Sequence, residues 1–327
     1  MSALANDTCI EVVDTQLSLR SLLDDVTSLP TNPPSLFLDL EGNNLGRHGS
    51  ISIISLFVAP RKAAYLIDVH RLGSEAFTIT TNDKISFKTI LESSAIPKVF
   101  FDVRNDSDAL FSLYQVSMNG VKDVQLLELG SKPGSDGSKR CVAGLAKCVA
   151  KDSAVPDAQK EQWQRVKENI TRLFDPQNGG QYRVFNERPL GREVMEYCVQ
   201  DVFALPGLYN IYDTKLRQPG QKFWQMQVQR ATEDRIKRSQ MPDYDGQDKS
   251  KALGPWSEWE IGQAREEWNE DVMSDAMHEE EEWDEDALFD AMHGEYDDFN
   301  DFDDYKDSAR DCIGWEEDML KNGEQFD

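Results

Sequence analysis

Short apolar blocks set the rhythm of the first half of the chain. Residues 35–40, 50–58 and 64–69 are β-branched or apolar runs divided by Gly, Asn, Pro and Arg, a spacing that predicts three strands in a meander. Residues 85–91 repeat at helical spacing. After Pro97 another apolar run, 98–101, predicts a strand, and 105–114 predicts a helix with Ala109, Leu110 and Leu113 turned inward. A fifth strand is predicted at 121–124. Beyond a loop rich in Gly, Ser and Pro at 130–139, helices are expected at 142–150, 157–170 and 190–216, the last preceded by Pro189. A meander followed by crossovers is an α/β order. The expected domain is a mixed five-stranded sheet flanked by helices over residues 35–217. Residues 1–34 precede it as an amphipathic lead-in helix (12–29) and a Pro-rich linker, and a basic amphipathic helix at 223–238 extends it through 218–240.

Charge divides the chain more sharply than hydropathy. The 327 residues include 35 basic and 60 acidic side chains, a formal charge of −25. Residues 1–240 hold 29 acids against 29 bases, so the whole excess falls in 241–327. A balanced, core-forming part is thus followed by a polyanionic tail that is expected to be largely disordered. Apolar runs such as 51–59 fall far short of the ~20 residues that a membrane helix needs. The N-terminus has no basic patch followed by an apolar run, so no secretory signal is expected. Five cysteines without a C-x-x-C pair, and four histidines without an H-x-x-x-H pair, argue against a disulfide scaffold and a zinc site. Reduced thiols point to an intracellular compartment, nucleus or cytoplasm.

Three segments carry acids where a core element should be apolar. Asp39 and Glu41 lie two apart on a predicted strand, so both carboxylates share one face while Leu38 and Leu40 take the other. Two adjacent anions repel unless a cation lies between them; a strand end emerging into solvent shows the same pattern. Asp106 opens the helix after the fourth strand. A carboxylate there suits capping and the helix dipole, and strand-to-helix junctions are also where α/β folds gather their active sites. Tyr197 and Asp201, four apart on the long helix, share a stripe with Val194, Cys198, Leu205 and Leu208. Asp201 therefore interrupts an apolar, inward face, and a lone buried carboxylate is costly unless it is paired or binds metal.

The order D-x-E, then D, then Y-x-x-x-D on an α/β frame resembles the DEDD superfamily of 3′–5′ exonucleases. The likeness is to the tyrosine-bearing subgroup that includes ribonuclease D and the Werner-syndrome exonuclease domain, and within it to the ribonuclease D/Egalitarian-like branch. It covers roughly residues 35–217, and Arg188-Pro189-Leu190 is similar to the family's lead-in to its third motif. The resemblance implies a ribonuclease H-like fold and hydrolysis at the 3′ ends of single-stranded RNA or DNA. It also implies Asp39 and Glu41 as metal ligands of the first motif, Asp106 of the second, and Asp201 of the third with Tyr197 beside it. The implied cofactors are two Mg²⁺ or Mn²⁺ ions, hard cations that suit oxygen ligands. Such a pair, about 3.5–4 Å apart, activates water and neutralises the leaving oxygen. On this reading Asp39 bridges both ions, Glu41 and Asp201 complete the nucleophile-side ion, Asp106 holds the leaving-group ion, and Tyr197 orients the attacking water.

Two departures stand out. Phe101-Asp102-Val103 replaces the His and Cys that relatives often carry before the second motif, which puts a further carboxylate, Asp102, near Asp106. Gly42 follows the first motif where proofreading enzymes commonly have Thr or Phe, which points away from polymerase proofreading.

Arg104, Arg188 and Arg192 adjoin the motifs and are candidate nucleic-acid contacts, as are Arg47, His48, Lys139 and Arg140; ordinary solvated charge predicts the same residues. The tail interleaves acids with aromatics, including five of the seven tryptophans, and Asp275-Ala276-Met277-His278 recurs as Asp290-Ala291-Met292-His293. It reads as a disordered tail, as a binding segment for a basic protein partner, or as a phosphate mimic lying in the nucleic-acid groove. The rival function is a catalytically weak or inactive nucleic-acid-binding adaptor with the same fold.

Overall fold

The computed structural model describes residues 9–133, 141–174 and 179–270. At its centre is a six-stranded sheet: β1 (Cys9–Val13), β2 (Leu36–Glu41), β3 (Ile53–Val58), β4 (Ala63–Ile67), β5 (Lys98–Phe100) and β6 (Val121–Asp123), in the order β1-β4-β3-β2-β5-β6. The expected meander is present as the antiparallel trio β2, β3 and β4. β5 and β6 extend it in parallel from β2, and β1 joins β4 in parallel at the other edge.

The sheet is one strand larger than expected because the lead-in is not one helix. It splits into β1 and α1 (Gln16–Val26), which Thr15 caps in a reciprocal capping box with Ser18. β1 is half exposed along most of its length, so its apolar pattern is weak, and a partner fifty residues away makes it a strand. The short helices α2 (Val69–Leu72) and α3 (Glu75–Thr78) follow β4. α4 (Phe87–Glu92) and α5 (Arg104–Tyr114) then fall close to the expected helices. α6 (Val124–Gly130) was not expected: Asp123 ends β6 and at once caps the helix by accepting from Gln125 N. The remaining helices are α7 (Leu145–Asp152), α8 (Asp157–Phe174), α9 (Arg192–Leu216) and α10 (Lys222–Ser239).

β2 is the strand that aims the chemistry. Leu36, Leu38 and Leu40 enter a core shared with Leu22 of α1, Ile90 of α4 and Leu110 of α5. Phe37 faces the opposite layer, edge-on to Tyr209 of α9 with ring centroids 6.3 Å apart. Burying each leucine contributes roughly 1.5–3 kcal/mol, so a one-residue slip, which would put Asp39 and Glu41 into that core in their place, is excluded. Asp39 and Glu41, on Phe37's face, are thereby delivered towards α9. Gly42 lets the chain turn immediately afterwards, since a Cβ there would lie 1.9 Å from Ser50 O.

Residues beyond α10 continue the packing. Arg47, in the loop after β2, donates to the carbonyl oxygens of Ser239, Met241 and Pro242 at 2.7–2.9 Å while pairing with Asp108 of α5 at 2.7 Å. Tyr244 Oη and Lys251 Nζ both donate to Asn105 Oδ1, at 2.9 and 2.7 Å. Trp256 then packs on Trp224 with centroids 5.3 Å apart. Acid-rich composition hides this from a hydropathy reading, because the contacts are polar and long-range. Residues 271–327, with the repeat at 275–293, lie outside the described residues. Among the described residues, no helix is long and apolar enough to cross a membrane.

One buried charge makes stability depend on pH. Lys98 of β5 is fully buried, and its Nζ donates to Ile90 O at 3.0 Å and Ser93 O at 2.6 Å. Burial pushes its ammonium down to about 7, below the ~10.4 of an unfolded lysine. Between those values the unfolded chain binds more protons than the folded one, so the Lys98 contribution to stability rises with pH from about 7 to about 10 and is at its worst below 7. Across that window, wild type should gain up to about 4 kcal/mol relative to Lys98→Met, measured by denaturant unfolding at stepped pH. Parallel pH profiles for the two proteins would refute the assignment.

Candidate active site

Parallel pairing of β2 with β5, Leu36 opposite Lys98 and Phe37 opposite Val99, puts the carboxyl ends of both strands on one edge of the sheet. β2 finishes there with Asp39 and Glu41. β5 leads through Asp102 and Val103 into the first turn of α5, where Asp106 sits. α9 packs across β2 and β3 and turns Tyr197 and Asp201 into the same region. Asp106, Tyr197 and Asp201 are buried, and Asp39 and Glu41 are half-buried. The stripe of Val194, Tyr197, Cys198, Asp201, Leu205 and Leu208 is inward throughout.

Asp39 is the common neighbour: its charge acts on Glu41 and Asp106, and that of Asp201 acts on it. Burial, then the charge of Asp201, pushes Asp39 up to about 7, with Lys167 opposing. Burial and then Asp39 push Glu41 well above the usual carboxylate range. Burial, Asp39 and Asp102 do the same to Asp106. Burial raises Asp201 as well, again opposed by Lys167. Burial and the nearby Glu41 also hold the Tyr197 phenol protonated. Its ring is anchored by Phe174 and Phe185, with centroids 5.3 and 6.1 Å away.

Lys167 is the resident that was not anticipated. From α8 its Nζ donates to Asp201 Oδ2 and lies 4.5 Å from the Tyr197 ring centroid and 5.6 Å from that of Trp163. The sequence does carry its signal. Trp163, Lys167, Ile170 and Phe174 recur at helical spacing, so a cation interrupts an apolar stripe of α8 as Asp201 interrupts that of α9. Lys251, bonded to Asn105 at 2.7 Å, is a second cation, and its charge opposes the rise of Asp106.

The donor set is oxygen alone, and Asp201 Oδ1 is buried without a hydrogen-bond partner. Hard oxygen donors with an orphaned carboxylate oxygen fit a divalent cation of the Mg²⁺ or Mn²⁺ kind rather than zinc. Among the described residues, no three carboxylates, imidazoles or thiols close around a single point; on one side the recess is filled by the Lys167 ammonium instead.

The other sequence candidates have varied surroundings. Asp102, at φ +59°, is held by Arg104 through contacts of 2.5 and 2.7 Å and lies 3.8 Å from Arg235. Arg104 donates further to Lys251 O at 3.0 Å. Arg188 is clamped on the fully buried Asp68 and on the carbonyls of Phe185 and Glu187. Arg192 is exposed on the first turn of α9, where it pairs with Glu196 at 2.9 Å. Lys139 and Arg140 lie outside the described residues.

Known proteins share this architecture. RNase D of Trypanosoma brucei, in complex with RNA U12, superposes with a TM-score of 0.61 at 19% identity, covering 80% of this chain and 81% of that one. RNase D of Escherichia coli gives 0.50 at 20% identity, covering 70% of this chain and 50% of that one. The piRNA biogenesis protein EXD1 of Mus musculus is 30% identical over 146 residues, which span 42% of this chain and 24% of that protein. Human EXD1 is 36% identical over 89 residues, 27% of this chain and 16% of that protein. The chain thus spans a quarter or less of these curated relatives. The sequence pattern described as 3′–5′ exonuclease matches residues 10–217, from β1 to the end of α9 with the whole carboxylate recess inside it, and the chain accordingly belongs to the 3′–5′ exonuclease family.

Proposed function

We propose that the protein is a metal-dependent 3′–5′ exonuclease that hydrolyses phosphodiester bonds at the 3′ ends of single-stranded nucleic acid. The observation that supports this reading is that Asp39, Glu41, Asp106 and Asp201, from three separate elements, lie near enough at one end of the sheet to act on one another's charge, beside Tyr197. Four acids that repel one another across a folded edge are held at a cost to stability, which is the mark of a site kept for function.

In this proposal the four carboxylates hold two ions of the Mg²⁺ or Mn²⁺ kind. Bound there, the ions supply Lewis-acid stabilisation of the phosphate and a water made nucleophilic at neutral pH. Tyr197, kept protonated, donates its phenolic hydrogen bond to position the attacking water near Glu41. Arg192, exposed on the first turn of the helix that carries Tyr197 and Asp201, is the arginine proposed to meet a phosphate, whereas Arg104 and Arg188 serve as internal fasteners. RNA is the first substrate to test, because the RNase D neighbour was solved with RNA U12. Free Cys9, Cys141, Cys148 and Cys198 support an intracellular setting, nucleus or cytoplasm, and the acidic tail is proposed to serve a basic protein partner.

A second reading, a binding adaptor without catalysis, is favoured by one feature: an ammonium already sits among the carboxylates. One assay separates the two. With 5′-labelled single-stranded RNA and DNA, the exonuclease yields a ladder shrinking from the 3′ end in Mg²⁺ or Mn²⁺ and none in chelator. Tight binding without shortening in any metal would replace the enzyme with the adaptor.

A further inference from the structure

Taking the carboxylate recess as the divalent-ion site proposed above, we infer that Lys167 is its tethered counter-ion, occupying the recess when metal is absent and yielding when a divalent ion enters. Three observations converge on it. The Lys167 ammonium bonds one oxygen of Asp201, while the other oxygen of that carboxylate is buried and has no partner. The lysine side chain is one-fifth exposed, so it is not sealed within the core. Its ammonium lies over the rings of Tyr197 and Trp163, on which the stem can pivot while keeping a cation–π contact.

Charge decides the direction of the exchange. Lys167 opposes the repulsion felt by Asp39, Glu41 and Asp201, and Lys251 opposes that felt by Asp106. Two single positive charges face four carboxyl groups, fewer than full ionisation of the group would need. A divalent ion brings twice the charge and can take several oxygens at once, including the orphaned Oδ1; an ammonium offers three hydrogens and no coordination sphere. The lysine thus keeps the empty recess from flying apart, and in return it weakens metal binding by competition. It is a positioning residue in this role, acting through Asp201.

The test is metal binding without substrate. Mn²⁺ titration calorimetry on the full chain would compare wild type, Lys167→Met, Lys167→Arg and Asp201→Asn, each also melted in chelator and in saturating Mn²⁺. Methionine keeps the apolar stem on the two rings. Lys167→Met should bind Mn²⁺ roughly ten-fold more tightly, the scale of one part-buried ion pair, and Lys167→Arg should bind as wild type does. In chelator Lys167→Met should melt below wild type, and in Mn²⁺ the gap should close or reverse. Equal affinity in wild type and Lys167→Met, with binding lost in Asp201→Asn, would overturn the counter-ion while leaving the metal site standing. No binding by either wild type or Lys167→Met would overturn both. Binding by Lys167→Met alone would mean that the lysine never yields, which overturns the exchange and favours the adaptor.

Discussion

Asp39→Asn is expected to reduce hydrolysis by roughly 10³-fold or more, the scale of losing a preorganised charge-stabilising group, and yet to raise the melting temperature of the metal-free protein. The side chain keeps its size and its place on β2, so the leucine face that sets the register is untouched. What disappears is a charge that repels Glu41, Asp106 and Asp201. Relief of about 1 kcal/mol would shift melting upwards by roughly 2–4 °C in a domain of this size. Asp201→Asn should lose activity just as completely without that gain, because it also removes the partner of Lys167. Tyr197→Phe should slow turnover roughly 10²-fold with melting unchanged, since its packing on Phe174 and Phe185 survives. Turnover on labelled single strands, read beside melting in chelator, checks all three. Near-normal hydrolysis by Asp201→Asn would remove the carboxylates from the chemistry.

Loss of Asp123 should be the most damaging substitution away from the recess. Its side chain is fully buried and accepts from Asp102 N at 3.0 Å, Val103 N at 3.3 Å, Gln125 N at 3.0 Å and Arg235 Nη1 at 2.7 Å. One carboxylate therefore joins the β5–α5 turn, the start of α6 and the middle of α10. Asp123→Ala strands three backbone donors and a nearly buried guanidinium, which should cost about 3–5 kcal/mol in denaturant unfolding. Arg235→Met should cost less, because Asp123 keeps its three amide donors, and the double variant should cost less than the sum. Activity should fall along with stability, since the turn that Asp123 holds carries Asp106. A loss below about 1 kcal/mol for Asp123→Ala would show that the neighbouring elements hold that turn without it.

The carboxylate recess was legible because its residues break local rules. Asp39 and Glu41 interrupt the polarity pattern of a strand end, and Asp201 interrupts an apolar helical stripe; period two and period 3.6 each assign a face before any partner is known. Lys167 breaks the same rule on α8, but a lysine with a long apolar stem fits an amphipathic helix, so its charge does not stand out in the sequence. Elements whose cause is remote were the ones missed. β1 has a weak pattern and becomes a strand against β4, and α6 begins at a cap supplied by the last residue of β6. Residues 239–253 look like the start of a polyanion, yet Arg47 gathers three of their carbonyls. Local side-chain order thus determined the meander, the long helices and which acids they carry inward, because periodicity is a property of neighbouring residues. Where those acids meet, which cation lies among them, and which arginines are already spent on Asp68 and Asp102 were decided only by the folded chain, since charge pairing depends on distance in space and not along the sequence.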